Sequence, residues 1–141
     1  MSSNFQIILA LDVGAQRIGV AEANTIARIA HPLTTVSNTE DIMQTVQGLI
    51  AEQDASMLVI GLPRGMQSQE TDQTRYVRDF VSQLKKVVRI PLYWQDEALT
   101  SQKAEAELAA RKKPYSKGDV DALAATYILD DFLQSPQKEQ A

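Results

Sequence analysis

The chain has 141 residues, 44% of them hydrophobic, and a formal net charge of −4 at pH 7, which suits one domain with a substantial core. It contains no cysteine and a single histidine, His31, which excludes a disulfide framework, a thiolate zinc site and a His-rich metal centre. Any hydrolytic metal site must therefore be built from carboxylates, the donors of hard ions such as Mg²⁺ or Mn²⁺. No apolar run approaches the roughly 20 residues of a membrane span. The start, Met1 to Gln6, lacks the positive-then-apolar pattern of a signal peptide. A cytoplasmic protein without a membrane partner is expected. The negative balance argues mildly against nucleic acid as a partner, although a local basic patch is enough to hold phosphates.

Phe5 to Asp12 reads as a buried strand, and Arg17 to Asn24 as a second strand joined to it by the short turn at Gly14. Thr25 to Val36 supplies a third, with Pro32 making it an edge or irregular strand. His31, just before Pro32 and far from any nucleophile motif, reads as a core or surface histidine. Ser37 and Glu40 stand in the spacing of a capping box. The helix predicted after them, ended by Asp54 to Ser56, carries Ile42, Val46, Leu49 and Ile50 on one face. Met57 to Leu62 is continuously apolar, as in a central strand buried on both faces, and Pro63 stops it. Arg64 to Thr71 reads as a loop. Asp72 to Lys86 reads as a helix with Val77, Phe80, Val81 and Leu84 inward.

A strand occupies the later half of Val87 to Gln95, since Pro91 cannot donate to a ladder. At strand spacing, one of Tyr93 and Trp94 faces the core. Thr100 to Arg111, rich in Ala, Glu and Lys, is predicted helical. Arg111 to Gly118 is a basic loop. The last helix begins near Asp119, with Ser116 as its candidate cap, and runs to about Leu133. Residues 134–141 form a polar tail expected to fray. A leading hairpin followed by alternating helix and strand implies a single domain over residues 1–141, an α/β mixed sheet with helices on both faces.

Three carboxylate positions stand out. Asp12 ends the first strand, Asp96 and Glu97 follow Leu92 to Gln95, and Asp121 lies in the first turn of the last helix. Each has a plain reading: a turn residue, a solvated turn, a helix-start charge. In a sheet whose strands end at one edge, however, Asp12 and Glu97 can lie side by side, and a helix N-terminus bearing Asp121 can close over them. Carboxylates crowded in this way repel unless a cation sits among them. Two divalent ions about 4 Å apart could activate a water against a phosphodiester. Asp119 reads as a helix-start charge. Gly14 and Gly19 leave room for a close approach to the backbone, and Gly61-Leu62-Pro63 fixes a loop beside the same edge.

The motifs Leu-Asp-Val-Gly-Ala-Gln-Arg-Ile-Gly-Val-Ala, Val-Ile-Gly-Leu-Pro, Asp-Glu-Ala-Leu-Thr and Val-Asp-Ala-Leu-Ala-Ala-Thr-Tyr-Ile-Leu, in that order, resemble the YqgF family, also called RuvX. The resemblance covers almost the whole chain, from about Leu9 to Leu133. It implies an RNase H-like fold with a five-stranded mixed sheet, and a metal-dependent nuclease centre in which Asp12, Glu97 and Asp121 bind Mg²⁺ or Mn²⁺ in a two-metal site. The family is tied both to 5′-end processing of pre-16S rRNA and to cleavage of Holliday junctions in branched DNA. The implied function is therefore an endonuclease on structured nucleic acid, with pre-rRNA first, branched DNA as the alternative, and a non-catalytic nucleic-acid-binding protein on the same fold as another. The ATP-binding relatives of this fold are set aside, because so short a chain lacks a second domain to enclose a nucleotide. The sequence departs from the family pattern at Ala98, where arginine is usual, at Ser101, at Gln67-Ser68 after Met66, and at Glu22-Ala23-Asn24.

Basic residues placed to meet nucleic acid are Arg17, just past the turn after Asp12, Arg64 after Gly-Leu-Pro, and Lys117. Tyr115, in the Arg111 to Gly118 loop, is available to stack on a base. Lys112 and Lys113 read as a solvated loop. None of these patterns fixes an oligomeric state.

Overall fold

A computed structural model describes residues 5–65, 67, 69–97, 100–135 and 138–141, with side chains throughout except at Thr100 and Ser101. Ala98 and Ser68, two of the departures from the family pattern, lie outside the described residues, as do Met66 and the side chain of Ser101.

The apolar runs form the strands at the centre of the sheet. Ile7–Val13 (β1) and Arg17–Asn24 (β2) pair as an antiparallel hairpin in which Asp12 stands opposite Gly19. His31–Ser37 (β3) adds to β2 as the outer strand, and its register slips between Val20 and Ala21, opposite Pro32. Thr25 to Ala30, expected to join this strand, stays outside it and begins with a turn over residues 25–27. The Asn24 side chain accepts hydrogen bonds there from the backbone N–H of Ile26 and Ala27, at 3.0 and 2.7 Å. Such an Asx turn competes with the ladder for the local backbone.

Ala55–Pro63 (β4) lies parallel to β1, and Leu92–Glu97 (β5) lies parallel to β4. Asp96 and Glu97 do not follow β5 as a solvated turn. They are its last two residues, level with Leu62 and Pro63. Among the described residues the sheet has six strands, in the order β3-β2-β1-β4-β5-β6, not five. The sixth, Glu139–Gln140 (β6), lies in the tail expected to fray and pairs antiparallel with Tyr93 and Trp94. Ala141 N–H then donates to the Leu92 carbonyl at 2.8 Å.

Helices Ile42–Gln53 (α1) and Asp72–Leu84 (α2) cover one face, burying Leu9, Leu11, Ile18, Leu58 and Ile60 beneath Val46, Val77 and Leu84. Lys117–Gln134 (α4) covers the other, with Ile128, Leu129 and Phe132 over Ile8, Ala10 and Val59. Thr100–Ala110 (α3) packs outside α4 through Ala104 and Leu108. Tyr93 and Trp94 point to opposite faces. Tyr93 lies 5.5 Å from the Phe132 ring, and the Arg78 guanidinium lies 5.5 Å over Trp94.

The capping box expected at Ser37 and Glu40 does not form. Ser37 is still in the β3 ladder opposite Arg17, and α1 begins after Asp41 without a side-chain cap. Capping boxes form instead at Thr71 with Thr74 on α2, and at Ser116 with Asp119 on α4. Asp119 is therefore the helix-start carboxylate the sequence indicates. Among the described residues, no helix is long and apolar enough to cross a membrane.

Candidate active site

The α4 face of the sheet carries the acidic group. Side chains alternate along a strand, so Asp12 shares its face with Ile8 and Ala10, both buried under α4. By the same alternation Gly19, Ala21 and Ala23 of β2, Val59 and Gly61 of β4, and Tyr93 and Glu97 of β5 point to this side. Asp12 is half-buried near the end of β1. The two glycines flank it. Gly19 is its partner on β2, and Gly61 is one step beyond the Leu11–Ile60 pair on β4.

Each glycine admits one of the other carboxylate-bearing segments. A Cβ at Gly19 would lie 2.0 Å from the Asp121 carbonyl oxygen and 2.8 Å from Ala122 N. The first turn of α4 therefore rests directly on β2 beside Asp12. A Cβ at Gly61 would lie 2.4 Å from Glu97 Oε2 and 2.5 Å from Ile128 Cδ1. The Glu97 carboxylate thus reaches across β4 toward β1 through the space that a side chain would fill. The sequence marks Gly19 as a place of close approach, and what approaches is the chain's own helix.

The electrostatics follow from this crowding. Burial pushes the Asp12 carboxyl well above the usual carboxylate range. The negative charges of Glu97 and Asp121 push the same way, and so does a side-chain hydrogen bond with Glu97. Asp121 has a different neighbour. Arg17 Nε donates to its Oδ2 at 2.6 Å, a charge-assisted bond between side chains 36% and 19% exposed. Among the described residues, no three His, Cys, Asp or Glu side chains are gathered tightly enough to hold a metal ion as they stand.

Hydrogen bonds from outside the acidic group hold the loops that frame it. Gln73 Nε2 donates to the Val13 carbonyl at 3.0 Å, and Asn38 Nδ2 to the Gly14 carbonyl at 2.8 Å. Together these fix the turn after Asp12. Thr74, fully buried, donates its hydroxyl to the Pro63 carbonyl, so the α2 N-terminus also fixes the end of β4. Thr35 Oγ1 donates to the Gly118 carbonyl at 2.6 Å and ties β3 to the start of α4. Sequence reasoning missed Thr35, Asn38, Gln73 and Thr74; only the Thr71–Thr74 spacing, a cap with a threonine in the glutamate position, left a trace.

The basic residues divide. Arg17, Tyr115 and Lys117 line one groove together with Glu105, Ser116, Val120 and Asp121. Arg64 stands at the end of β4, with Nε 3.5 Å from Asp96 Oδ1. That Nε is buried and, among the described residues, has no hydrogen-bond partner.

Residues 6–135 match a family model described as "RuvX: Holliday junction resolvase". A protein of Gloeothece citriformis named "Putative pre-16S rRNA nuclease" is 40% identical over 129 residues, covering 89% of this chain and 85% of that one. A protein of the same name from Crocosphaera subtropica is 42% identical over 130 residues, covering 89% and 90%. Among solved structures, T. thermophilus RuvC in complex with a Holliday junction substrate superposes with a TM-score of 0.63 at 14% identity, covering 96% of this chain and 99% of that one. At that identity the likeness shows the fold alone, and the fold is RNase H-like.

Proposed function

The chain belongs to the RuvX family, and from that premise we propose that it is a metal-dependent endonuclease that hydrolyses phosphodiester bonds in structured nucleic acid, at the 5′ end of pre-16S rRNA. The observation that carries this reading is the approach of Glu97 and Asp121 to Asp12 through the spaces left by Gly61 and Gly19. Three carboxylates make a hard, all-oxygen donor set suited to Mg²⁺ or Mn²⁺. A cation among them would offset the burial and the like charges that raise the Asp12 carboxyl. Asp12, Glu97 and Asp121 would hold the ions. Bound there, two divalent ions would supply an activated water and charge stabilisation for the leaving oxygen, giving 5′-phosphate and 3′-hydroxyl ends.

The remaining residues bind and orient. Arg17 lies on Asp121 and is positioned to turn its remaining donors to a phosphate at the same place. Lys117 and Tyr115 extend the groove away from the acids, and Arg64, at the end of β4 beside Asp96, places a second guanidinium at the other side of the strand ends. RNA maturation places such an enzyme in the cytoplasm. Resolution of branched DNA is the second reading, favoured by the family's own description.

The test is cleavage of end-labelled precursor 16S rRNA and of four-way DNA junctions, with Mn²⁺ or with EDTA, by wild type and by Asp12→Asn. Metal-dependent cutting of the RNA that is lost in the variant is the expected result. Cutting of junctions alone assigns the branched-DNA substrate. Binding without cutting, unchanged by the substitution, overturns the nuclease reading in favour of a non-catalytic binding protein.

A further inference from the structure

A second cavity, of about 250 Å³, opens on the far side of the loop that joins α3 to α4. Its floor is apolar: Leu108 of α3, Ala122 and Leu123 of α4, all under a tenth exposed, with Pro32 and Pro114 at the sides. Its rim is polar, with Arg111 and Lys113 on the loop and Asp119 at the helix start. Tyr115, 41% exposed, is common to this cavity and to the groove that holds Arg17, Lys117 and Asp121. The acidic site and the cavity are thus neighbours across one aromatic side chain.

The loop that builds the rim is set, not slack. Lys112 takes the left-handed backbone conformation, φ 58°, and its N–H donates to the Ala109 carbonyl at 3.2 Å, which ends α3 and reverses the chain. Pro114 restricts the next turn of backbone. Ser116 then caps α4, its N–H donating to Asp119 Oδ2 at 2.9 Å. Arg111 is paired with Glu107, whereas among the described residues no carboxylate pairs with Lys113.

We propose that this cavity receives one unpaired nucleobase of the strand whose backbone lies in the acidic groove, with Tyr115 as the stacking face, Lys113 on the adjoining phosphate and Asp119 as acceptor for a base N–H. The proposal rests on the nuclease reading and sharpens it: the substrate is single-stranded, or locally unpaired, on the α3–α4 side. An apolar floor, an aromatic wall, one free cation and one acceptor match a nucleotide in each part. A base offers a flat face for the floor and tyrosine, donors on its edge, and a phosphate beyond. A base still stacked in a duplex has neither face free, so the cavity selects against continuous helix.

The experiment is equilibrium binding by fluorescence anisotropy in EDTA, where no cutting occurs. The probes are 5′-labelled single strands of about 12 nucleotides, as RNA and as DNA, and the same sequences as blunt duplexes. Tyr115→Ala is expected to weaken single-strand binding about tenfold while duplex binding changes less than about twofold. Tyr115→Phe, which keeps the ring, is expected to restore single-strand affinity, and Lys113→Ala to flatten its salt dependence. The RNA and DNA arms separate the two sources of the nucleotide. Equal loss on single strands and duplexes, or no loss on either, overturns the proposal. If Tyr115 governs single-strand binding but wild type cuts nothing with Mn²⁺, the nuclease reading fails and the cavity stands. If wild type cuts and Tyr115→Ala binds and cuts single strands as wild type does, the cavity fails alone.

Discussion

Gly19→Ala tests the packing on which the acidic site depends. The added methyl would lie 2.0 Å from the Asp121 carbonyl oxygen and 2.2 Å from its carbon, about 1.4 Å short of ordinary contact, which starts at 3.4 Å. Both obstacles are backbone, so no rotamer change relieves the clash, and the start of α4 must lift from β2. Lifting it strains Arg17–Asp121 at 2.6 Å and Thr35–Gly118 at 2.6 Å. Overpacking typically costs about 1–3 kcal/mol, and a backbone obstacle puts this substitution near 3 kcal/mol. For a domain of this size that is a fall of about 10 °C in Tm. Thermal unfolding by circular dichroism in EDTA measures it. Gly48→Ala supplies the opposite sign: Gly48 is exposed in α1 with nothing within 4 Å of its Cβ position, so the helix gains about 0.5–1 kcal/mol. A Gly19→Ala fall of less than about 3 °C would refute the close seating of α4 on β2, and with it the route by which Asp121 reaches Asp12.

Asp12→Asn is expected to raise stability at neutral pH in EDTA. The folded carboxyl is held above its unfolded value, so the folded state binds the extra proton, and wild-type stability falls as pH rises from about 4 through the raised folded value. Asparagine does not titrate, so the Tm difference should shrink toward zero as pH approaches 4; a difference constant between pH 4 and pH 8 contradicts the crowding. Thr74→Val removes a fully buried hydroxyl that donates to Pro63 O and accepts from Thr71 N–H at 2.9 Å. Urea unfolding should show a loss of about 1–3 kcal/mol, and a neutral result would mean that the α2 cap does not hold the end of β4. Arg17→Gln frees the Asp121 carboxylate from a part-exposed ion pair worth about 0.5–1 kcal/mol. Mn²⁺ affinity measured by calorimetry should therefore rise about threefold, whereas weaker binding would assign Arg17 a supporting role toward the ion.

The parts of the fold legible in the sequence are those where one local signal dominates. Leu9 to Leu11 and Leu58 to Ile60 are apolar on both sides and sit at the sheet centre, fully buried. Ser116 reads as a cap and is one. The misread parts are those where a distant partner overrides a local signal. Asp96 and Glu97 look like a solvated turn, yet the parallel ladder with Leu62 and Pro63 keeps them in the strand. Ser37 looks like a cap, yet its backbone is engaged opposite Arg17. Glu139 and Gln140 look like frayed tail, yet β5 offers an edge for them. In the site, the three carboxylates could be picked out because each ends or starts an element. The reach of Glu97 over Gly61 could not, since a glycine does not say what will approach it. Nor could the pairing of Arg17 with Asp121, which joins residues 104 apart in the chain.

The two pairings of the acidic group differ in kind. Asp121 is matched by Arg17 within hydrogen-bond distance, whereas burial, and then the carboxylate of Glu97 beside it, raise the Asp12 carboxyl above the usual range. Without a cation such a pair is an electrostatic defect, because a partly buried like-charge pair destabilises the fold at the pH where both ionise. The surrounding structure nonetheless enforces the pair: two glycines remove the side chains that would separate the acids, and the α2 N-terminus pins the ends of both β1 and β4. On the proposed function, carboxylates held together against their repulsion would accept a cation, and the guanidinium that Arg17 places on the third acid would be at hand for a phosphate. On the nuclease reading these are successive demands on one site. The carboxylates would hold the ions, and Arg17, released from Asp121, would meet the backbone of the strand. The Arg17→Gln variant should then bind Mn²⁺ more tightly than wild type while binding single-stranded RNA more weakly, opposite shifts that a merely structural ion pair would not produce.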